Sequence, residues 1–294
     1  MSVSALVIIA LHGLAFAMVL YLVSVGLSVT MGLMGFVNLA HGVFAAAGGY
    51  ALVTLMNQFG IPFFAAIAAA VVIVALMGMA LDLALYRRLY GRDELDQVLM
   101  TIGLAFMAVA GAKYFFGSLA LELHPPAYLG GSLDLGFDTF PTYRAFLIIA
   151  GAVLVTLLWL GLERTNFGAE IRAAVDHRRM AQSIGIDTSR LFTLSFGLGC
   201  GLAALGGALG ADILQPEPGY PLKYLIYFLI VVSVGGLGSI RGPFLAALLL
   251  GIADTGFKYL LPQFGAFFIY ALAMAVLLWR PHGLLGKQGL LGKA

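Results

Sequence analysis

Charged residues are scarce in this chain of 294 residues: Asp, Glu, Lys and Arg make up 10% of it, whereas apolar residues make up 62%. Soluble domains carry about 25% charged and about 45–50% apolar residues. A water-soluble globule with the present composition would expose more hydrocarbon than it tolerates. A bilayer fits it, because a membrane-spanning helix takes about 20 consecutive apolar residues. We therefore predict an all-α fold, a polytopic transmembrane helical bundle.

Three further features that the sequence lacks narrow the class of membrane protein. The apolar runs lack the alternation with polar residues that marks the strands of a membrane β-barrel, and positions 3–31 hold no Asp, Glu, Lys or Arg. The single cysteine, Cys200, excludes an intrachain disulfide. No basic region precedes the long first apolar run, so we expect this run to be a retained helix and not a cleaved signal peptide.

The motifs of several enzyme classes are missing as well. There is no Walker A motif, since Gly286-Lys287 is followed by Gln288, and no Cys-x-x-Cys, His-x-x-x-His or Gly-x-Ser-x-Gly spacing. Asp82 and Asp254 lie near the ends of apolar segments, where we expect them to reach the membrane interface. We expect a protein that is not an enzyme, has no cofactor or metal of its own and, at a net charge of +2, binds no nucleic acid.

Nine apolar segments follow one another along the chain. They lie at about 3–31, 40–56, 61–85, 98–121, 145–162, 191–214, 224–240, 242–261 and 264–280. The second is short, because a helix of this length covers only about 24 Å, and it is either a tilted short helix or part of a re-entrant element. We expect eight or nine spans in a single transmembrane domain, residues 1–294.

Basic residues indicate the orientation. No Lys or Arg precedes Arg87, and basic residues then collect at 86–97, at 163–190 and in the tail, while loops at about 122–143 and 215–223 hold almost none. Lys and Arg favour the cytoplasmic side, so nine spans from an external N-terminus place the three basic regions inside. In the external loop at about 122–143, alternating apolar residues predict a short hairpin.

Two glycine clusters interrupt the pattern, one around 32–42 and one at 235–242. Transporters keep their ligand paths near interrupted helices, so both clusters are candidates for lining a translocation path. A small-residue helix interface, with the polar side chains hydrogen-bonded to a neighbouring helix, explains the first cluster equally well. The candidate path residues are Asn38, His41, Gly35, Gly42, Gly235, Gly236 and Gly238.

The loop at about 163–190 predicts a short amphipathic helix between two spans. We expect Gly185 to end it in the left-handed conformation, and Asp187 or Thr188 to cap the next span. Its polar face mixes both signs of charge, which fits docking into a groove of another protein better than lying on a lipid surface. The apolar face is predicted to hold Ala173, Met180, Ala181 and Ile184, and the docking candidates are these four with Arg178, Arg179 and Gly185.

Four stretches of sequence resemble the permease subunits of bacterial branched-chain amino-acid ABC importers: 35–42, 164–173, 180–187 and 235–242. Their order and spacing match, and the smaller of the two permease types is the more similar. The resemblance implies an inner-membrane permease that pairs with a second homologous permease and two cytoplasmic ATPases, which bind ATP and Mg. It further implies a periplasmic binding protein that delivers small hydrophobic amino acids, and an ATPase groove that receives the coupling helix in 163–190.

Two alternatives remain open from the sequence. Permeases similar to this family also carry urea, short amides and small carboxylates, so the substrate class is less defined than the type of transporter. The competing class is a stand-alone secondary transporter or a channel, which would need no ATPase partner.

Overall fold

The computed structural model describes residues 3–33, 36–176, 178–236, 239 and 241–286. Helices dominate this part of the chain. They are α1 (Val3–Leu27, continued by a π-helix at Ser28–Leu33), α2 (His41–Asn57), α3 (Phe63–Ala84), α4 (Glu94–Phe116), α5 (Thr142–Glu163), α6 (Asn166–Asp176), α7 (Arg178–Ser183), α8 (Thr188–Leu209), α9 (Tyr220–Lys223), α10 (Leu225–Gly235), α11 (Arg241–Leu260) and α12 (Gly265–Trp279).

The predicted all-α membrane fold is confirmed. Within the described ranges, six helices are long and apolar enough to cross a bilayer, namely α1, α3, α4, α5, α8 and α11. Each of the nine predicted segments contains a helix. The segment at 224–240 is not one continuous span, because α10 ends at Gly235 and its eleven residues cover only about 16 Å.

Helix α1 lies at the centre of the bundle and is buried without interruption from Ala17 to Leu27. It packs against α8 and α11 through glycines that bring backbones into contact. A Cβ added at Gly26 would lie 2.3 Å from the carbonyl oxygen of Gly199, and one at Gly251 would lie 2.7 Å from the Cα of Ala17. Small residues at such crossings are typical of membrane helix interfaces, where close packing replaces the hydrophobic effect as the driving force.

The loops sort to two ends of the bundle as the arginine pattern predicts. At one end, the Arg87 guanidinium donates to Thr193 Oγ1 of α8 over 2.9 Å, which joins the first two basic regions. At the other end, the Leu121 N–H donates to the Pro216 carbonyl over 2.8 Å, which joins the two loops that are poor in basic residues. We call these the basic end and the opposite end.

The predicted hairpin is also present at the opposite end. Strand β1 (Ser132–Asp134) pairs antiparallel with β2 (Thr139–Pro141), and Leu133 stands opposite Phe140. The Leu135 N–H donates to the Asp138 carbonyl over 3.0 Å and closes the turn.

Asp82 and Asp254, which we expect near the ends of their membrane segments, are both buried within the protein. Asp82 is fully buried and accepts hydrogen bonds from the Thr193 hydroxyl, at 2.6 Å, and from the Tyr90 hydroxyl. Asp254 is 1% exposed and accepts from Lys258 Nζ over 2.6 Å. Partners within the protein therefore replace water around both carboxylates, as the cost of a charge at membrane depth requires.

Candidate functional site

The first part of the candidate site is the segment 36–40, which is not helical and joins the π-helical end of α1 to α2. Backbone groups at membrane depth need partners within the protein when no helix satisfies them. Helix α4 supplies two: the Val37 N–H donates to Gln97 Oε1 over 3.0 Å, and the Leu39 N–H donates to Thr101 Oγ1 over 3.3 Å. Side chains of α4 therefore hold this segment in place.

Asn38 and His41 are fully buried beside this segment. Asn38 Oδ1 accepts from the Ala40 N–H at 3.1 Å and from the Tyr86 hydroxyl at 3.3 Å. His41 Nε2 donates to the Val23 carbonyl of α1 over 2.9 Å. The second polar atom of each side chain, Asn38 Nδ2 and His41 Nδ1, has no hydrogen-bond partner among the described residues. Such atoms are rare in proteins, so the pair retains unused hydrogen-bonding capacity.

Close packing and polar contacts therefore coexist here. A Cβ at Gly42 would lie 2.6 Å from the Pro221 carbonyl oxygen of α9, which is the geometry of a small-residue interface. The buried Asn and His are hydrogen-bonded to neighbours, as that interpretation predicts, but only through one end of each side chain. Gly35, the remaining candidate of this cluster, lies outside the described residues.

The second glycine element forms the turn between α10 and α11. A Cβ at Gly235 would lie 2.3 Å from the backbone nitrogen of Pro243, so the two helices touch where they meet. Gly236 has φ +97°, a conformation that favours glycine. Residues that follow α12 cover this turn: the Leu284 N–H donates to the Val234 carbonyl over 2.7 Å. Gly238 lies outside the described residues.

The structure connects the two glycine elements through the end of α1. The Ser28 hydroxyl, in the first turn of the π-helix, donates to the Ser239 carbonyl over 3.0 Å. The hydroxyl of Ser239 in turn accepts from the Gly242 N–H over 3.0 Å. The π-helical end of α1 therefore contacts the α10–α11 turn on one side and continues into segment 36–40 on the other.

The loop at the basic end is helical over Asn166–Asp176 (α6) and Arg178–Ser183 (α7), where an amphipathic helix is predicted, and His177 lies outside the described residues. The predicted end of the element is confirmed. Gly185 has φ +91°, and the Ile186 N–H donates to the Ala181 carbonyl over 3.0 Å, the bonding of a Schellman motif. Asp187 caps α8, as predicted, and accepts from two backbone N–H groups.

One face of α7 is exposed. Met180 is 66% exposed, and Ile184, four residues later, is 72% exposed; Ala173 of α6 and Arg179 are exposed as well. The prediction that Ala181 shares this face is wrong, because Ala181 is 2% exposed. The position of the Arg178 side chain lies outside the described part of the structure.

Ala181 belongs instead to a small apolar cluster that attaches α6 and α7 to the bundle. Its buried members are Val29, Leu162, Ile171, Ala174, Ala181, Leu191 and Phe192. Val29 comes from the π-helical end of α1, next to Ser28. The cluster therefore places the basic-end helices in direct contact with the same turn of α1 that touches the α10–α11 loop.

Comparison with known proteins identifies the family. Residues 9–277 match the family model described as the branched-chain amino acid transport system / permease component. The chain belongs to this permease family. It is 28% identical to the high-affinity branched-chain amino acid transport system permease protein BraD of Pseudomonas aeruginosa, over 94% of each chain. No solved structure matches this permease significantly.

Two permeases of Escherichia coli are similar to this chain as well. LivH is 26% identical over 90% of this chain and 91% of LivH. LivM is 25% identical over 91% of this chain but only 68% of LivM. The family and the helices together make the protein a multi-pass membrane transport component.

Sequence reasoning missed the residues of the permease that hold segment 36–40. Gln97 and Thr101 stand four residues apart in α4, and so share one helix face. Polar side chains that repeat at this spacing in an apolar span were the available signal, because a membrane helix rarely exposes them to lipid. Tyr86, which donates to Asn38, carried no comparable pattern.

We expect Thr101→Val to destabilise the permease by about 1–3 kcal/mol, the cost of a buried donor without an acceptor. The substitution keeps the shape of the side chain but removes the oxygen that the Leu39 N–H reaches. Thermal unfolding of the purified protein measures it. Thr156→Val is the matched control, because the Thr156 hydroxyl is exposed and donates within its own helix to the Ala152 carbonyl. Equal unfolding temperatures for the two variants would contradict the role of Thr101.

Proposed function

We propose that this permease is the membrane subunit of an ATP-driven ABC importer in the bacterial inner membrane. It translocates branched-chain or other small hydrophobic amino acids that a periplasmic binding protein delivers. The observation that carries the proposal is the family match over residues 9–277. The absence of a Walker A motif from the sequence agrees with it, because other chains bind ATP in such an importer.

The proposed partners are a second, homologous permease, two cytoplasmic ATPases that bind ATP and Mg, and the binding protein. Similarity to both LivH and LivM, two permeases named for one transport system in Escherichia coli, supports the second permease. Exposed apolar side chains on α7 support an ATPase contact, since a helix that docks in a groove presents apolar residues at a spacing of three or four.

The first test is uptake by the reconstituted complex. We expect proteoliposomes that contain the permease pair and the ATPases to take up labelled leucine only under two conditions. ATP must be present on the side of the membrane that carries the ATPases, and the binding protein must be present on the other side. Urea, acetamide and propionate serve as competing substrates. Leucine uptake by this chain alone under a proton or sodium gradient would contradict the proposal, and preferential uptake of a competitor would replace its substrate class.

The translocation path is proposed to run beside the two glycine elements. Its candidates remain Asn38, His41, Gly35, Gly42, Gly235, Gly236 and Gly238. Non-helical backbone at membrane depth persists only where it is buried in protein or lines a water-filled cavity. The unpaired nitrogens of Asn38 and His41 favour a cavity that opens during transport over permanent packing.

Cysteine labelling tests this path. In a Cys200→Ala background, we expect Val37→Cys and Ser239→Cys to react with a water-soluble maleimide at rates that differ between the ATP-bound and nucleotide-free complex. Val153→Cys, on the exposed side of α5, is the control and should react equally slowly in both states. If both test cysteines behave like the control, the glycine elements serve packing alone.

Coupling is proposed to pass from α7 to the membrane path in two contacts. An ATPase groove would receive Met180 and Ile184, which are exposed, while Ala181 on the other side of the helix fixes α7 to the bundle. A shift of α6 and α7 would then move Val29, and with it the π-helical end of α1 that touches Ser239. A tightly packed interface transmits a displacement, whereas a loosely packed one does not. The buried cluster is therefore required to connect α6 and α7 to the end of α1.

We expect Gly185→Val to abolish most ATPase co-purification while the permease still inserts in the membrane. A side chain at φ +91° costs on the order of 1–2 kcal/mol, and the chain relieves this strain by redirecting the end of α7. Gly91→Val is the matched control, since Gly91 has φ +86° and, like Gly185, no neighbour within 4 Å. Gly91 does not position α7, so its variant should retain the ATPases.

Met180→Asp tests the exposed face directly. It places a charge where an apolar groove is expected and should reduce co-purified ATPase and substrate-stimulated ATP hydrolysis, whereas Met180→Leu should retain both. Full assembly and coupled transport in Met180→Asp would place this face on the membrane surface instead.

A further inference from the structure

A polar cavity of about 410 Å³ opens at the end of the bundle opposite to α6 and α7. Four helical elements line it: α1 through His12 and Phe16, the start of α5 through Arg144, the α9–α10 region, and the last turns of α11. Its volume lies within the range of small-molecule sites, about 300–1,000 Å³. The family's glycine elements lie elsewhere, so this cavity is separate from the path candidates.

Each of the three basic side chains at the cavity contacts a polar partner. Arg144 lies 2.6 Å from His12 Nδ1, and Lys223 Nζ lies 2.6 Å from Glu217 Oε1. Lys258 Nζ donates to Asp254 Oδ2 over 2.6 Å. The three basic side chains have further donors besides these, because each basic group carries more N–H donors than one such bond uses.

The second oxygen of Asp254 differs from the atoms in these contacts. The side chain is 1% exposed, and Oδ1 has no hydrogen-bond partner among the residues that the structure describes. A buried carboxylate oxygen without a donor is costly. Asp254 is one of the residues that line the cavity, so a cation would supply the missing donor if the side chains around Oδ1 move apart to admit it.

Aromatic rings complete the surroundings of this carboxylate. Lys258 Nζ lies 5.8 Å from the ring centre of Phe16 and 5.9 Å from that of Tyr227. A ligand at Asp254 therefore finds a carboxylate oxygen, an ammonium group and apolar ring faces within one small space. This combination matches a small α-amino acid, whose ammonium, carboxylate and side chain need one of each.

We propose that this cavity is an entry site of the permease that binds the zwitterionic head of a free amino acid. The ammonium group donates to Asp254 Oδ1, the carboxylate accepts from Lys258, and an apolar side chain packs on Phe16 and Tyr227. This inference rests on the proposed import of hydrophobic amino acids and adds the residues that recognise the substrate on its arrival. A simple anion would leave Asp254 Oδ1 without a donor, and a simple amine would leave Lys258 without a second acceptor.

Equilibrium binding and competition test the site. Tritiated leucine is bound to the whole transporter in nanodiscs without binding protein, and its displacement by two leucine analogues is measured: 4-methylpentanoate, which lacks the ammonium, and isoamylamine, which lacks the carboxylate. We expect both analogues to compete at least about tenfold less well than leucine, the factor for one lost hydrogen bond to a charged group.

In Asp254→Asn, leucine binding should weaken about tenfold, and 4-methylpentanoate should compete as well as leucine, because the ammonium no longer meets a carboxylate. The same variant should raise the KM of uptake more than it lowers kcat. Glu122→Gln, an exposed carboxylate at the same end, is the control and should change neither quantity. Unchanged discrimination between leucine and 4-methylpentanoate in Asp254→Asn overturns the proposal.

A second variant covers the case in which Asp254→Asn does not accumulate because Lys258 is left without its partner. Asp254→Asn/Lys258→Met removes both charges, and in it both analogues should compete as well as leucine. Retained discrimination in this double variant overturns the proposal equally. Two outcomes distinguish the proposed function from the entry site. Absence of ATP-dependent leucine uptake in the wild type refutes the proposed function. Intact uptake with unaltered discrimination in the variants refutes the entry site alone.

Discussion

The contact between the backbones of α1 and α8 is the constraint on which the rest of the permease depends. With Gly26 facing Gly199 and Gly206 facing Val23, the two helices approach until backbone atoms touch. In a bilayer, where lipid is as apolar as the side chains, such contact is a main source of stability between helices. It fixes α1 along its axis, and α2, α10 and α11 then take their positions from it.

Because α1 is fixed in this way, the irregular backbone that follows it can keep its hydrogen-bond partners. The π-helix at Ser28–Leu33 and the segment at 36–40 would lose hydrogen bonds in lipid. The Val37 and Leu39 N–H groups keep theirs because Gln97 and Thr101 lie within reach, and the Ser28 hydroxyl ties the π-helix to the Ser239 carbonyl. These neighbours belong to two other parts of the chain, α4 and the α10–α11 turn, so the site assembles only when both are in place.

Whether the sequence could predict a feature depends on how far apart along the chain the residues that form it lie. Local features were predictable: the left-handed Gly185 and the Asp187 cap depend on a few adjacent residues. The burial of Ala181 was not, because it depends on contacts with residues far away along the chain, such as Val29 and Leu162. The burial of Asp254 could have been anticipated, since Lys258 follows at the i+4 spacing of an ion pair, but its open second oxygen depends on four separate helical elements.

The two proposed recognition surfaces lie at opposite ends of the same central helix. The entry cavity includes His12 and Phe16 in the first half of α1, and the basic-end cluster includes Val29 just beyond its last α-helical turn. Helix α11 packs antiparallel to α1 and runs from the turn at Gly242 to Asp254 and Lys258. Because α1 and α11 touch at Gly13 and Gly251, a displacement of the α1 terminus cannot leave the position of Asp254 unaffected. A substrate held at one end and an ATPase docked at the other would therefore act on one rigid pair of helices.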